Sequence, residues 1–407
     1  MIDVVIIGGG PAGMASALEA SRNGAKVLII ERNKTLGGIL NQCIHNGFGL
    51  HYFKEELTGP EFAYKFKQLI NKDKNITVLT ETFVTKIEQK KVTFVNSNGV
   101  QIVTCKSIIL AQGCRERTPA NIFLNGTRPA GIYTAGQAQK LVNIHGKLPG
   151  KEVVILGSGD IGLIMARRLT LEGAKVKAIL EVNKTTSGLK RNILQCVTDF
   201  NIPLLFQHTI YSIEGKDRVE GVFECEVDDK YNPIESTKRF IKCDTIVLSV
   251  GLIPEMDLLP EITLNRATNG AFVDEYFQTE KEGMFACGNV LHVHDLVDNV
   301  ALESIVAGKH AALYSKGKLN VSKPINVIAG EGLTYVVPYK CYMGEGKVNV
   351  KFRLKQRIEK SFIIAKSGNQ IVGKKYVLAG VPGEMQNIDV DKTNVKNEII
   401  VEVQSNG

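Results

Sequence analysis

Two stretches of this chain follow one plan. Val4-Val5-Ile6-Ile7 runs into Gly8-x-Gly10-x-x-Gly13, a helical stretch to Asn23, and an apolar run over 26–30 that ends at Glu31. Val153-Val154-Ile155-Leu156 runs into Gly157-x-Gly159-x-x-Gly162, a helix to about Glu172, and a second run from Lys175 to Glu181. Each reads as strand, G-x-G-x-x-G, helix, strand, acidic residue. The first glycine permits a tight turn, the second lets a backbone approach a pyrophosphate, and the third lets helix and strand pack closely. The helix N-terminus presents unpaired N–H groups and partial positive charge to the phosphates. A carboxylate ending the second strand can accept from ribose hydroxyls. One such motif is weak evidence, but two with full context predict two dinucleotide sites.

The 407 residues are 44% hydrophobic and 23% charged, with no tryptophan, which is globular composition and predicts two to four domains. The net charge of +8 is spread along the chain. From Val321 onward there are thirteen Lys/Arg against eight Asp/Glu, so most of the surplus lies in the tail, as a solvated lysine-rich face or a surface for an acidic partner. No basic block with interleaved aromatics favours nucleic acid. No apolar run approaches the roughly 18–20 residues of a membrane span. The chain opens on a strand with no basic leader, and a cytoplasmic protein without direct membrane insertion is expected. Residues 77–95 read as a hairpin or meander, 107–111 as a short buried strand, 284–289 as a buried strand that stops in a turn, 221–227 and 240–250 as strands, and 299–314 as a helix. Beyond Lys316, short alternating runs separated by Gly, Pro and Asn predict a small all-β module.

The motifs Gly8-x-Gly10-x-x-Gly13 with Glu31, Leu110-Ala111-Gln112-Gly113, the second glycine motif, Gly251-Leu252-Ile253-Pro254 and Phe285-Ala286-Cys287-Gly288-Asn289 occur in that order. Over about residues 1–320 this order resembles the pyridine nucleotide–disulfide oxidoreductase superfamily, the flavoproteins with two dinucleotide-binding domains. The stretch from Arg128 to Gln139 is similar to the FAD subunits of hydrogen cyanide synthase and dye-linked amino-acid dehydrogenases. The stretch from Gly37 to Gly49, with the β-rich tail, resembles a clostridial-type flavoprotein found beside a glycerol-3-phosphate dehydrogenase.

The resemblance implies an α/β fold with two Rossmann-like three-layer domains. An FAD domain (1–114 and 246–320) receives an inserted NAD(P) domain (115–245), and an all-β module (321–407) follows. By motif match, FAD falls to Gly8, Gly10, Pro11, Ala12, Gly13, Glu31, Arg32, Gly38, Asn41, Gln42, Val84, Ala111, Gly113, Gly288 and Asn289. Asn289 stands where the family usually has Asp, and its amide oxygen can still accept. The nicotinamide cofactor falls to Gly157, Gly159, Asp160, Ile161, Gly162, Glu181 and Gly251. A carboxylate at Glu181 repels a 2′-phosphate, so NAD(H) is expected ahead of NADP(H), with Lys184 working against that preference. A vestigial, empty second site is the competing reading.

The eight cysteines include no CxxC pair, so neither a disulfide framework nor a zinc or iron–sulfur site is expected. Cys43 falls beside the expected flavin, with His45 two residues on. These are the candidate catalytic residues: a thiolate activated by His45, or a cysteine that only packs there. The CxxC of thioredoxin reductases, the CxxxxC of glutathione-reductase-like enzymes and their C-terminal catalytic His are absent; the last His is His310. His292, His294, Asp295 and Asp298 predict polar contacts near the flavin edge rather than a metal site. The expected function is hydride transfer between NAD(H) and FAD, with electrons exchanged with a partner redox subunit and a homo-oligomer compatible with it. A cysteine-based NADH peroxidase or disulfide reductase is the alternative. An assembly subunit with structural FAD is a third.

Overall fold

The computed structural model describes residues 1–259, 261–393, 395 and 397–405, with residue 405 described by its backbone only; within the expected 321–407 module, 394, 396, 406 and 407 lie outside the described residues. The chain divides into two compact units, Met1–Cys114 with Ile253–Gly407, and Arg115–Leu252.

In the first unit, strand Ile2–Ile7 pairs in parallel with Val27–Ile30 on one side and with the far half of Gly99–Leu110 on the other. Ile76–Leu79 extends the parallel sheet beyond Val27–Ile30, and Met284–Ala286 pairs in parallel with Ile108–Leu110. The near half of Gly99–Leu110 instead runs antiparallel to Lys91–Asn96, which pairs with Phe83–Glu88. One strand thus serves two sheets, and its burial changes accordingly from exposed to fully buried along its length. Continuous Val/Ile runs are what a parallel strand buried on both faces requires, each side chain contributing about 1.5–3 kcal/mol. Helices Pro11–Arg22 and Val297–Ser315 cross at Gly308, where an added Cβ would stand 2.3 Å from the Ser16 carbonyl oxygen.

The C-terminal module has its own apolar core, including Val350, Phe352, Ile363 and Val401. A five-stranded sheet, from Lys340–Tyr342 through Pro324–Ala329, Ile399–Ser405 and Ile358–Ser367 to Gln370–Gly380, accompanies a three-stranded one of Leu333–Val337, Lys347–Leu354 and Gln386–Asp391. It is fastened to the preceding segment by polar contacts: Tyr342 to Asp274 at 2.8 Å, Lys392 to Glu275 at 2.7 Å, and Arg353 to Asp295 at 2.6 Å.

The second unit holds a five-stranded parallel sheet ordered Ile132–Thr134, Thr245–Leu248, Glu152–Leu156, Lys175–Glu181 and Leu204–Phe206. A four-stranded sheet of Asn125–Gly126, His208–Gly215, Val219–Glu226 and Arg239–Lys242 accompanies it. Two expectations change here. The apolar run 240–250 is two strands, because the Asp244 carboxylate turns to accept from Lys151 N and Glu152 N. The second of those strands is bonded into this unit's sheet, so the unit extends to Leu252, beyond the boundary expected at 245. Among the described residues, no helix is long and apolar enough to cross a membrane.

Candidate functional site

The two glycine turns are built alike in detail. Gly8 has φ +103, and a Cβ there would meet the Ala111 carbonyl oxygen at 2.5 Å; on Gly13 it would meet the Gly8 carbonyl oxygen at 1.9 Å. Gly157 has φ +98 and would meet Ser249 O at 2.1 Å, and Gly162 would meet Gly157 O at 2.7 Å. The fold itself therefore requires the first and third glycine of each motif. The second glycines differ. Gly10 (φ −73) and Gly159 (φ −65) have backbones any residue adopts. A Cβ on Gly10 would find nothing within 4 Å, and on Gly159 ordinary contacts, the nearest being Ser249 Oγ at 3.4 Å. Neither strain nor packing excludes a side chain there. A cradle kept clear at a helix N-terminus is what an approaching pyrophosphate needs, so both turns fit a dinucleotide.

Behind each turn an acid is gripped by the chain. Glu31, 4% exposed, accepts from Gly9 N at 2.7 Å, Asn33 N at 2.8 Å and Asn33 Nδ2 at 2.8 Å. Glu181, 3% exposed, accepts from Ser158 N at 2.9 Å, Ser158 Oγ at 2.5 Å, Asn183 N at 2.9 Å and Asn183 Nδ2 at 2.6 Å. The asparagine two residues past each acid recurs in the sequence, and that repeat could have revealed the arrangement. After each acid the chain folds back onto its turn: Gly37 N donates to Gly9 O at 2.8 Å, and Gly188 N to Ser158 O at 3.1 Å.

Around the first turn, Pro11 opens the helix, Ala12 is buried in it, and Arg32 is exposed past the strand. A Cβ on Gly38 would stand 3.1 Å from Gly10 Cα, so the Gly38–Gln42 turn lies against the cradle. Asn41 is spent locally, donating to Leu36 O at 3.0 Å and accepting from Lys67 Nζ at 3.2 Å; Gln42 is buried. Val84 is buried in the meander, opposite Phe94. Gly113 (φ +76) follows Ala111 with open space before it. Gly288 (φ +76) brings its Cα against Ala12, where a Cβ would come within 2.8 Å of the Ala12 Cβ. Asn289 Oδ1 accepts from His294 N at 3.0 Å, and its Nδ2 faces Cys114 Sγ at 3.8 Å.

Around the second turn, Asp160 opens the helix, and its carboxylate accepts from Leu189 N at 2.8 Å and Asn192 Nδ2 at 2.6 Å. Ile161 is half-buried beside it, and Gly251 (φ +101) lies near the Arg117 side chain, whose own backbone N–H bonds Gly251 O at 3.1 Å. Lys184 is held by Asp229 at 2.8 Å.

Cys43 closes the Gly38–Gln42 turn under helix Gly59–Lys72, its carbonyl accepting from Gly59 N at 2.9 Å. Only 8% of it is exposed, and burial pushes its thiol up to about 12, which makes it a neutral thiol at pH 7. His45 is half-buried, its ring 5.0 Å from that of Phe48. The loop beyond is tied down by Asp298, which accepts from Gly49 N at 3.0 Å, His51 N at 3.0 Å and Tyr52 N at 2.7 Å.

The ligand atoms of His292, His294 and Glu303 lie within 4.8 Å of one another, a spacing that would suit a metal. The Lys351 ammonium stands 2.5 Å from the Glu303 oxygen both imidazoles share, so that oxygen already has a cationic partner. Burial alone would raise the Glu303 carboxyl, but Lys351, His294 and His292 hold it well below the usual range. Burial lowers His292 to about 4, so it is neutral. The sequence places the two histidines together, while Glu303 and Lys351 reach them only through the fold.

A model described as pyridine nucleotide-disulphide oxidoreductase matches residues 2–312. The chain belongs to that family. It is 26% identical over 308 residues to the NAD(P)H sulfur oxidoreductase (CoA-dependent) of Pyrococcus abyssi, covering 72% of this chain and 64% of that protein, just under two thirds of the relative's length. It is 24% identical over 338 residues to hydrogen cyanide synthase subunit HcnB of Pseudomonas protegens, covering 77% and 70%. In fold it matches the NAD-dependent persulfide reductase of A. fulgidus at a TM-score of 0.61 and 19% identity, over 95% of this chain and 73% of that one.

Proposed function

We propose that this chain carries hydride from NADH to FAD and passes the electrons to a partner redox subunit. The observation that carries the reading is the pair of second glycines, Gly10 and Gly159, bare of side chains for no reason the chain itself supplies. FAD supplies the two-electron store; this chain's residues bind and orient it. Gly8 to Gly13 cradle the pyrophosphate with the N-terminus of Pro11–Arg22, and Glu31 holds the ribose side while stiffening Gly9. Gly288 and Asn289 receive the ribityl end. Gly157, Gly159 and Gly162 take the pyridine nucleotide. Buried Glu181 disfavours a 2′-phosphate, and Lys184, already paired, does little to reverse that. HcnB is named as a subunit, which supports a multisubunit assembly here, with a glycerol-3-phosphate dehydrogenase system as the proposed partner, in the cytoplasm.

The second reading, a cysteine-based disulfide or persulfide reductase, draws on the sulfur oxidoreductase relative and on Cys43 beside the cradle. The neutral Cys43 thiol favours the first. Stopped-flow mixing with NADH tests the common step: a flavin that stays oxidised sinks both readings. Cys43→Ser then separates them. The electron-transfer reading expects NADH-to-dye turnover within a few-fold of wild type, a cost of about 1 kcal/mol. Loss of peroxide or disulfide turnover with FAD still bound selects the cysteine reading, and full loss of dye reduction overturns the electron-transfer reading.

A further inference from the structure

Glu303 lies two turns into helix Val297–Ser315 and its side chain is wholly buried. Four donors converge on it. Gly288 N reaches Oε1 at 2.8 Å, while Oε2 receives His292 Nε2 at 2.9 Å, His294 Nε2 at 3.2 Å and Lys351 Nζ at 2.5 Å. The Nδ1 atoms of both histidines are buried without a hydrogen-bond partner, so the imidazoles join this network through Glu303. The ammonium alone is a cation of fixed charge here, and it arrives from strand Lys347–Leu354 of the C-terminal module. Two residues on, Arg353 grips Asp295 at 2.6 Å and Val293 O at 3.1 Å, and Met385 N reaches the other Asp295 oxygen at 2.6 Å. The module therefore holds the whole segment from Gly288 to Glu303.

A buried ion pair is an expensive way to fill space, since apolar side chains of similar volume do so at less cost in desolvation. Its position gives it a use. Gly288, hydrogen-bonded to Glu303, lies against Ala12 in the first glycine turn. The pair is one hydrogen bond from the backbone that receives the cofactor. Charge placed near a flavin tunes its electronics, because reduction gathers negative charge on the ring, and the low interior dielectric lets a buried charge act at a distance.

We infer that Lys351, brought by the C-terminal module, neutralises the buried Glu303 carboxylate and so keeps its negative charge from lowering the electron affinity of the flavin held at the Gly288–Asn289 turn. The inference rests on the FAD reading proposed above. Both are positioning residues: Glu303 touches Lys351, the two histidines and the Gly288 backbone, and Lys351 touches Glu303. While paired, their fields nearly cancel. Separated, they act with opposite sign: a lone Glu303 carboxylate opposes reduction, and a lone Lys351 ammonium favours it.

The test is anaerobic equilibration of the full-length, FAD-loaded protein with a reference dye, read from the flavin spectrum. Lys351→Met is expected to lower the reduced-to-oxidised flavin ratio at a fixed dye potential by roughly three- to tenfold. Glu303→Gln should raise it by a similar factor, and the double variant should return close to wild type. Shifts of the same sign in both single variants, or none with flavin retained, overturn the inference, since a merely structural role gives those results. Should Lys351→Met fail to fold, Glu303→Gln still decides: an unchanged or lowered ratio refutes the pair. A wild-type chain that takes up no FAD removes the FAD reading and this inference together, an outcome visible before any variant is made.

Discussion

The two glycine turns share a strand, a cradle, a gripped acid and a returning loop, yet they differ at the first helical residue. Pro11 begins the first helix with no charge, and the cradle beside Gly10 is open. Asp160 begins the second and spends its carboxylate on Leu189 N and Asn192 Nδ2, clasping the returning loop across the turn. A negative charge at a helix N-terminus opposes a second anion in the same place. On the proposed function, the first turn would hold its dinucleotide hard and the second would let one go. That is the division of labour between a resident cofactor and a substrate that enters oxidised or reduced and must leave.

The contrast can be broken at three points. Gly10→Ala has the largest expected effect: it fills the clear cradle without a clash in the chain, so thermal stability should stay within about 1 kcal/mol while FAD affinity falls by about two orders of magnitude. Fluorescence titration of apoprotein with FAD, beside a thermal melt, reads both. An unaltered affinity would mean that no pyrophosphate approaches there. Next, Glu181→Gln removes the charge and keeps one carbonyl acceptor, for either the Ser158 or the Asn183 donors, which bond different oxygens of Glu181. The NADH-to-NADPH preference in kcat/KM should move about tenfold toward NADPH, and a wild type that already prefers NADPH would void the assignment. The smallest effect belongs to Asp160→Asn, which retains an oxygen for the clasp. NADH binding should tighten two- to fivefold, worth about 0.3–1 kcal/mol, as read by calorimetry at low salt. Weaker binding would make Asp160 a ligand to the nucleotide rather than a brake on it.

Much of this was legible in the sequence because it is local. The glycine turns, the strands on each side and the terminal acids follow one another within thirty residues, and the long helix shows by its apolar run, though it begins at Val297 rather than near Asn299. The texture of the tail was enough to predict an all-β module. What escaped was non-local. Asp244 breaks an otherwise continuous apolar run because two N–H groups of a distant strand claim it. Glu303 reads as an exposed helical residue until Lys351, forty-eight positions away, is brought onto it. Asp298 resembles an ordinary acidic first-turn residue, and its partners are the backbone of Gly49, His51 and Tyr52 at the other end of the chain. Periodicity reports which face is apolar and says nothing about which charge will meet it.

Strand Gly99–Leu110 has a consequence for the order in which the molecule is made. Its last three residues, Ile108 to Leu110, need Met284–Ala286 as their outer neighbour, and that segment follows the whole of Arg115–Leu252 along the chain. On a ribosome, the inserted unit is contiguous and leaves the tunnel entire, free to close on itself as domains generally do during synthesis. Its host must wait with an apolar sheet edge unpaired. The guest is finished first, and the host's edge is capped by chain that could not exist until the guest had been made.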